Sequence, residues 1–248
     1  MSKQRLVVIG NGMAGARTVE EILARGGADL FDIVMFGEEP YGNYNRILLS
    51  NVVNGAQDPA DIFLNSLAWY AENNIRLHAG IKALAIDRVG RHVVGTCGII
   101  EDYDKLIIAT GSSAFIPPIK NIAGEDGALR PGVFGFRTLD DCHAIVAHAA
   151  RSTRAAVIGG GLLGLEAARG LMTHGCEVHV VHLSSSLMNQ QLDKPGSAIL
   201  RAIMEEMGVH VHVEKSTTEV LGAEHVTGLA FKDGSKLDCD MVVVSAGI

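Results

Sequence analysis

The sequence predicts an α/β protein built from two similar three-layer units, each around a parallel central sheet, with an antiparallel meander between them. Three observations predict it. One strand, glycine turn, helix and strand pattern occurs twice, and self-similarity of this kind outranks local signals in reading a fold. Between the copies lie short alternating strands separated by turn residues. The chain, at 248 residues, is also long enough for its core to divide in two.

The first copy begins with the apolar strand Leu6 to Ile9, followed by Gly10, Asn11, Gly12, Met13, Ala14 and Gly15, a helix to about Arg25, and a second strand over Asp32 to Phe36. Strands around Ile75 to His78, Ala83 to Asp87 and His92 to Thr96 read as an antiparallel excursion, and Tyr103 to Gly111 as the strand that rejoins the first sheet. Phe115 to Pro118 breaks regular structure and marks a linker. A helix at about Asp140 to Ala150 leads to the second copy: the strand Ala155 to Ile158, the turn Gly159 to Gly164, a helix to about His174, and the strand Glu177 to Val181. Further on, Asp233-Gly234 between two short strands is a hairpin signal.

Each turn has the form G-x-G-x-x-G. Its first glycine permits the tight turn, its second lets backbone approach a pyrophosphate, and its third lets helix pack on strand, while the helix N-terminus offers unpaired N–H groups to phosphate. One such turn also arises for structural reasons alone. Two in full context read as two Rossmann-like dinucleotide sites. An acidic residue about 20 positions on serves a ribose hydroxyl, a place filled in the first copy by Glu38, with Glu39 beside it reading more readily as a solvated charge. In the second copy His182 stands there, so the acid is missing and the choice between NADH and NADPH stays open.

A net charge of −7 and a pI near 5.8 offer no basic surface for nucleic acid. No apolar run approaches the length of a bilayer span, and the run behind the basic N-terminus is too short for a signal peptide, so a cytoplasmic protein is expected. Cys97, Cys142, Cys176 and Cys239 form no close pair. They read as buried reduced thiols, with no disulfide framework and no metal motif.

Several stretches carry a resemblance: Val8 to Gly15, Tyr44 to Ser50, Asp104 to Ser112, Gly159 to Ala168 and Leu187 to Asp193. Together they resemble the flavoprotein pyridine-nucleotide oxidoreductases with two dinucleotide domains, and within these the N-terminal half of the NAD(P)H-dependent nitrite reductase large subunit. The resemblance implies FAD on residues 1–117, NAD(P)H on 118–243, and a strand at 244–248 returning to the FAD domain. It implies that Gly10, Gly12 and Gly15, with Asn11, Met13 and Ala14 between them, hold the FAD pyrophosphate, and Glu38, with Glu39 beside it, the adenosine ribose. Asn45 and Arg46 would lie by the pyrophosphate or flavin, Ala83 by the adenine, and Thr110 and Gly111 would close the site. Gly159, Gly161, Leu163 and Gly164 would hold NAD(P)H, with His182 in the ribose place and Gly247 nearby. Glu166 would be the catalytic group, directed to the nicotinamide. For Arg46 a plain surface cation is the alternative, and for Glu166 a first-turn glutamate placed by the helix dipole.

Departures limit what the resemblance implies. Asn51 stands where related peroxidases have a redox cysteine and many ferredoxin-reducing relatives a lysine, and no cysteine motif for an iron–sulfur cluster is present. The implied role is electron input, hydride passing from NAD(P)H to FAD. The acceptor would be a downstream sirohaem and iron–sulfur module or an electron-acceptor protein, and a further FAD segment is expected after Ile248. A stand-alone ferredoxin- or rubredoxin-type reductase and a nucleotide-binding redox sensor without turnover are the rival readings. The oligomeric state is open, a homodimer being one option.

Overall fold

The structure, a computed structural model, describes residues 2–247. Along the chain run β1 (Gln4–Ile9), α1 (Met13–Ala24), β2 (Phe31–Gly37), β3 (Asn43–Tyr44), α2 (Leu49–Val53), β4 (Phe63–Asn65), α3 (Leu67–Glu72), β5 (Arg76–Ala79), β6 (Ala83–Asp87), β7 (His92–Gly95), β8 (Ile100–Asp102) and β9 (Lys105–Ile108). There follow β10 (Val133–Gly135), α4 (Leu139–Ala149), β11 (Arg154–Ile158), α5 (Leu162–Thr173), β12 (Glu177–Val181), α6 (Lys194–Glu206), β13 (His210–His212), β14 (Thr217–Leu221), β15 (Gly228–Phe231), β16 (Lys236–Asp238) and β17 (Met241–Val244). They form two compact units. The first holds the described residues up to Arg46 together with Ala60–Ser112, and the second holds Ile47–Pro59 together with the described residues from Ser113 on.

In the first unit a parallel sheet runs in the order β5-β2-β1-β9. A parallel sheet is covered on both faces, which is why β1 is apolar at consecutive rather than alternate positions. Leu6 and Val8 join Val19 of α1, Ile33, Met35 and Tyr70 in one core layer, whereas Val7 and Ile9 join Val34, Phe36 and Val93 in the other. The strand expected at Ile75 to His78 is β5, and it belongs to this parallel sheet rather than to the antiparallel excursion. The reason is α3, absent from the sequence reading. Ser66 caps it by accepting the Trp69 N–H at 3.3 Å, and this helix carries the chain over so that β5 enters parallel to β2. The antiparallel sheet is β6-β7-β8, with β8 as its third strand.

In the second unit the parallel order is β10-β17-β11-β12-β13, and a separate antiparallel sheet runs β14-β15-β16. The D-G hairpin is β15 with β16, and β14 extends it. Ala156, Ile158, Val181, Val242 and Val244 on the parallel sheet share a core with Val220, Leu229 and Phe231 of the antiparallel one. Helix α4 opens with a capping box, Thr138 and Asp141 each serving the other's backbone. Helix α6, not read from the sequence, starts at an Asp193 cap that accepts the Gly196 N–H at 2.9 Å.

The division of the chain differs from the sequence expectation, the first unit ending at Ser112 rather than at residue 117. Residues 47–59 join the second unit because α2 packs there. A Cβ on Gly170 of α5 would stand 2.7 Å from the Val53 side chain, and His174 Nε2 donates to the Val53 carbonyl at 2.7 Å. Of the segment 244–248, Val244 ends β17, which lies between β10 and β11 with Val244 paired to Gly135 and Ile158. Ile248 lies outside the described residues.

Candidate dinucleotide-binding sites

The three glycines of the first turn differ in what the fold asks of them. Gly10 has φ +113°, left-handed backbone that side chains rarely adopt, and a Cβ there would overlap the carbonyl of Ala109. A Cβ on Gly15 would overlap the Gly10 carbonyl, so helix and strand touch through backbone at this point. Gly12 is different. It caps α1 in extended conformation, no side chain caps the helix, and a Cβ there would meet nothing within 4 Å. The fold therefore explains Gly10 and Gly15, but not Gly12, which leaves clear space in front of the unpaired N–H groups of a helix start.

The second unit repeats this atom for atom in kind. Gly159 has φ +130° and its Cβ would overlap the Ser245 carbonyl; one on Gly164 would overlap the Gly159 carbonyl; one on Gly161, the cap of α5, would meet nothing within 4 Å. Ser245 thus stands to Gly159 as Ala109 stands to Gly10. Gly247, at φ +137°, is placed like Gly111, at φ +70°, two residues beyond the contacting carbonyl. Ala109 to Gly111 and Ser245 to Gly247 are counterparts.

Around the first turn the structure adds residues that the sequence reading missed. Asn11 is held three ways: its amide donates to the Tyr41 carbonyl at 3.2 Å, its Oδ1 accepts the Tyr70 hydroxyl at 2.6 Å, and its carbonyl accepts from Asn43 at 3.2 Å. Tyr70, Asn43 and Asn65 are buried, and burial pushes the Tyr70 phenol up to about 12. Glu38 follows β2 and is exposed, with Oε1 accepting from Lys82 at 2.8 Å. Ala83 follows Lys82 directly at the start of β6. Glu39 is not a solvated charge: its carboxylate takes the Tyr44 hydroxyl at 2.6 Å and pairs with Arg46. Arg46 is likewise no plain surface cation, because it also donates to the Tyr44 hydroxyl at 3.0 Å and lies over that ring, 4.9 Å from its centre. Asn45 is tied through its N–H to the Ile62 carbonyl at 2.8 Å. Met13 and Ala14 form the first turn of α1, and Thr110 is exposed beside Gly111.

In the second unit His182 turns toward the glycine loop. The Gly160 N–H donates to its Nδ1 at 3.1 Å, which places the ring proton on Nε2, buried and without a hydrogen-bond partner among the described residues. The Gly160 carbonyl accepts from the Met188 N–H at 2.8 Å, so the Leu187 to Asp193 stretch braces the turn. Glu166 lies in the second turn of α5, past the first-turn position that a dipole effect favours, and makes no hydrogen bond or ion pair among the described residues. Leu163 is half-exposed in the first turn. Of the cysteines, Cys97 is exposed and the other three are buried, correcting the expectation for Cys97. Burial pushes the Cys142 and Cys239 thiols up to about 12, which keeps thiolate chemistry out of reach at neutral pH. Asn51 Nδ2 donates to Gln57 at 3.0 Å.

Two glycine turns of one geometry, each opening a helix at the end of a parallel sheet, define an α/β protein of the paired dinucleotide-binding class. The chain belongs to the pyridine nucleotide-disulphide oxidoreductase family, whose profile matches residues 4–248. It is 46% identical over 248 residues to the NAD(P)H nitrite reductase of Bacillus subtilis (strain 168), covering 100% of this chain and 30% of that protein. It is also 46% identical over 248 residues to the assimilatory nitrate reductase electron transfer subunit of the same organism, covering 100% and 31%. Among solved structures it is similar to the covalent putidaredoxin reductase–putidaredoxin complex, with a TM-score of 0.90 and 25% identity over 100% of this chain and 59% of that one. The chain thus spans about 30% of the length of these two curated relatives.

Proposed function

We propose that this chain is the electron-input part of a flavin-dependent NAD(P)H oxidoreductase, the first unit holding FAD and the second NAD(P)H. The observation that carries this reading is the open space in front of Gly12 and Gly161, which no demand of the fold accounts for and which a pyrophosphate would fill. When bound, the two cofactors supply the chemistry, hydride passing from nicotinamide C4 to flavin N5. The protein binds and orients them.

On this reading the N–H groups at Met13 and Ala14, with Gly10, Gly12 and Gly15, take one pyrophosphate. Glu38 takes the adenosine ribose, its carboxylate steadied by Lys82, while Ala83 serves the adenine. Asn45, Arg46, Thr110 and Gly111 bound the same site, and Glu39 holds Arg46 in place. Gly159, Gly161, Leu163 and Gly164 take the second pyrophosphate, with Gly247 bounding it and His182 bracing it from the ribose side. The unpaired carboxylate of Glu166 is the group directed to the nicotinamide.

For the whole protein, the likeness to an NAD(P)H nitrite reductase and to an assimilatory nitrate reductase electron transfer subunit favours delivery of electrons to a nitrite-reducing module elsewhere in the same assembly. The likeness to putidaredoxin reductase favours a second reading, delivery to a small electron-carrier protein. The full-length protein tests the first step of both. It is expected to purify with bound FAD and to lose the flavin absorbance band when NADH or NADPH is added without oxygen. A protein that neither retains nor takes up FAD overturns the proposal. Anaerobic reoxidation by nitrite, set against reoxidation by an added iron–sulfur carrier, separates the two acceptors.

A further inference from the structure

Neighbouring parallel strands of the second unit bring together residues that the dinucleotide sites do not use. His179 of β12 is paired in register with His210 of β13. Since side chains alternate along a strand, Glu177 lies on the same face as His179, and His212 on the same face as His210. The His179 and His210 rings lie nearly parallel, their centres 4.5 Å apart. Glu177 Oε1 is 3.0 Å from His179 Nε2 and 3.7 Å from His210 Nε2.

We propose that Glu177, His179 and His210 form a site for one divalent first-row transition-metal ion of borderline softness, such as zinc. Two imidazole nitrogens and a carboxylate oxygen are the donor set that such ions take up. The three donor atoms all lie within 4.8 Å of one another. Donors bonded at about 2.0–2.1 Å in a tetrahedron stand roughly 3.3 Å apart, so side-chain rotations alone close the site. His179 is buried, whereas Glu177 and His210 keep side-chain exposures of 39% and 55%, leaving an entry path and room for water as the fourth ligand.

The surroundings suit this use. A metal-bound imidazole is usually oriented by a partner on its other ring nitrogen, and His179 Nδ1 lies 3.0 Å from His212 Nε2. On binding, His179 takes the tautomer with its proton on Nδ1, where His212 accepts it, and Nε2 is freed for the ion. Arg154 holds the other Glu177 oxygen at 2.8 Å, fixing the carboxylate with Oε1 turned to the histidines. Its positive charge opposes the ion and limits the affinity. The site ties an edge strand to its inner neighbour and is independent of the flavin reading.

The test is calorimetric titration of the metal-free protein with zinc chloride, with cobalt(II) as a spectroscopic probe. The expected result is one saturable site per chain, with tetrahedral cobalt absorption and a zinc-dependent rise in Tm. H210A and E177Q should each weaken zinc at least about tenfold and abolish the rise in Tm, and H212F, which acts through His179, should weaken it by roughly tenfold. His210 is exposed enough for H210A to fold. A wild-type protein with no saturable zinc uptake, or an H210A variant with unchanged zinc affinity, overturns the proposal.

Discussion

The backbone amide of Gly160 donates to Nδ1 of His182 at 3.1 Å, so the residue at the expected ribose position braces the glycine turn. A Cβ on Gly160 would stand 2.7 Å from that ring. His182→Ala leaves the Gly160 amide without its acceptor, a loss of about 1–2 kcal/mol in stability. NADH should bind more weakly, while FAD content stays unchanged. Urea unfolding and NADH titration check this, and His182→Asn, which again offers an acceptor, should recover part of both.

The two kinds of glycine should respond oppositely to substitution. A Cβ at Gly12 or Gly161 meets no protein atom within 4 Å, so urea midpoints of Gly12→Val and Gly161→Val should stay close to wild type, apart from a small helix-propensity effect. Gly12→Val should lose FAD, and Gly161→Val should keep FAD but lose its reduction by NADH. By contrast, Gly15→Ala and Gly164→Ala push a methyl group into backbone carbonyls and should cost at least about 2 kcal/mol. If Gly12→Val and Gly161→Val both lose FAD while remaining folded, the division of labour between the units is wrong.

Glu166 contributes no ion pair or hydrogen bond to the fold among the described residues. Glu166→Gln should therefore leave stability within about 0.5 kcal/mol of wild type. If the carboxylate helps to seat the nicotinamide, the variant should slow flavin reduction in stopped-flow more than it weakens NADH binding. Equal reduction rates would return Glu166 to a plain helix residue.

Tyr70 makes a pH prediction. Its phenol is raised from the ordinary 10 to about 12, so the folded state favours the neutral form. The stabilisation is fully present below about pH 10 and is lost as pH rises toward 12, about 3 kcal/mol in all. Tyr70→Phe should flatten this alkaline loss while lowering stability at pH 8, because Asn11 Oδ1 loses its donor. Urea unfolding at about pH 8 and pH 11.5 on both proteins separates the effects.

Much of this was legible in the sequence because it depends on short-range chemistry. A glycine at a fixed offset from an apolar strand states a backbone requirement that only glycine meets, so both turns, both helices and their flanking strands follow from local pattern alone. Long-range assembly was not legible in the same way. An isolated short strand such as Ile75 to His78 is compatible with either parallel or antiparallel pairing, and the choice rested on α3, a helix only six residues long. The equivalence of Ser245 with Ala109 also escaped, because it is a matter of which carbonyl faces which glycine across strands far apart in the chain.

The sequence by itself determined the class of each unit and the position of its glycine turn, since spacing along one strand and one helix carries that information. Only the tertiary structure decided which side chains those turns rest on. His182 against Gly160, Glu39 against Arg46 and the histidines of β12 and β13 meet through strand register and loop closure. Such contacts are set by the packing of whole elements, and no local spacing encodes them.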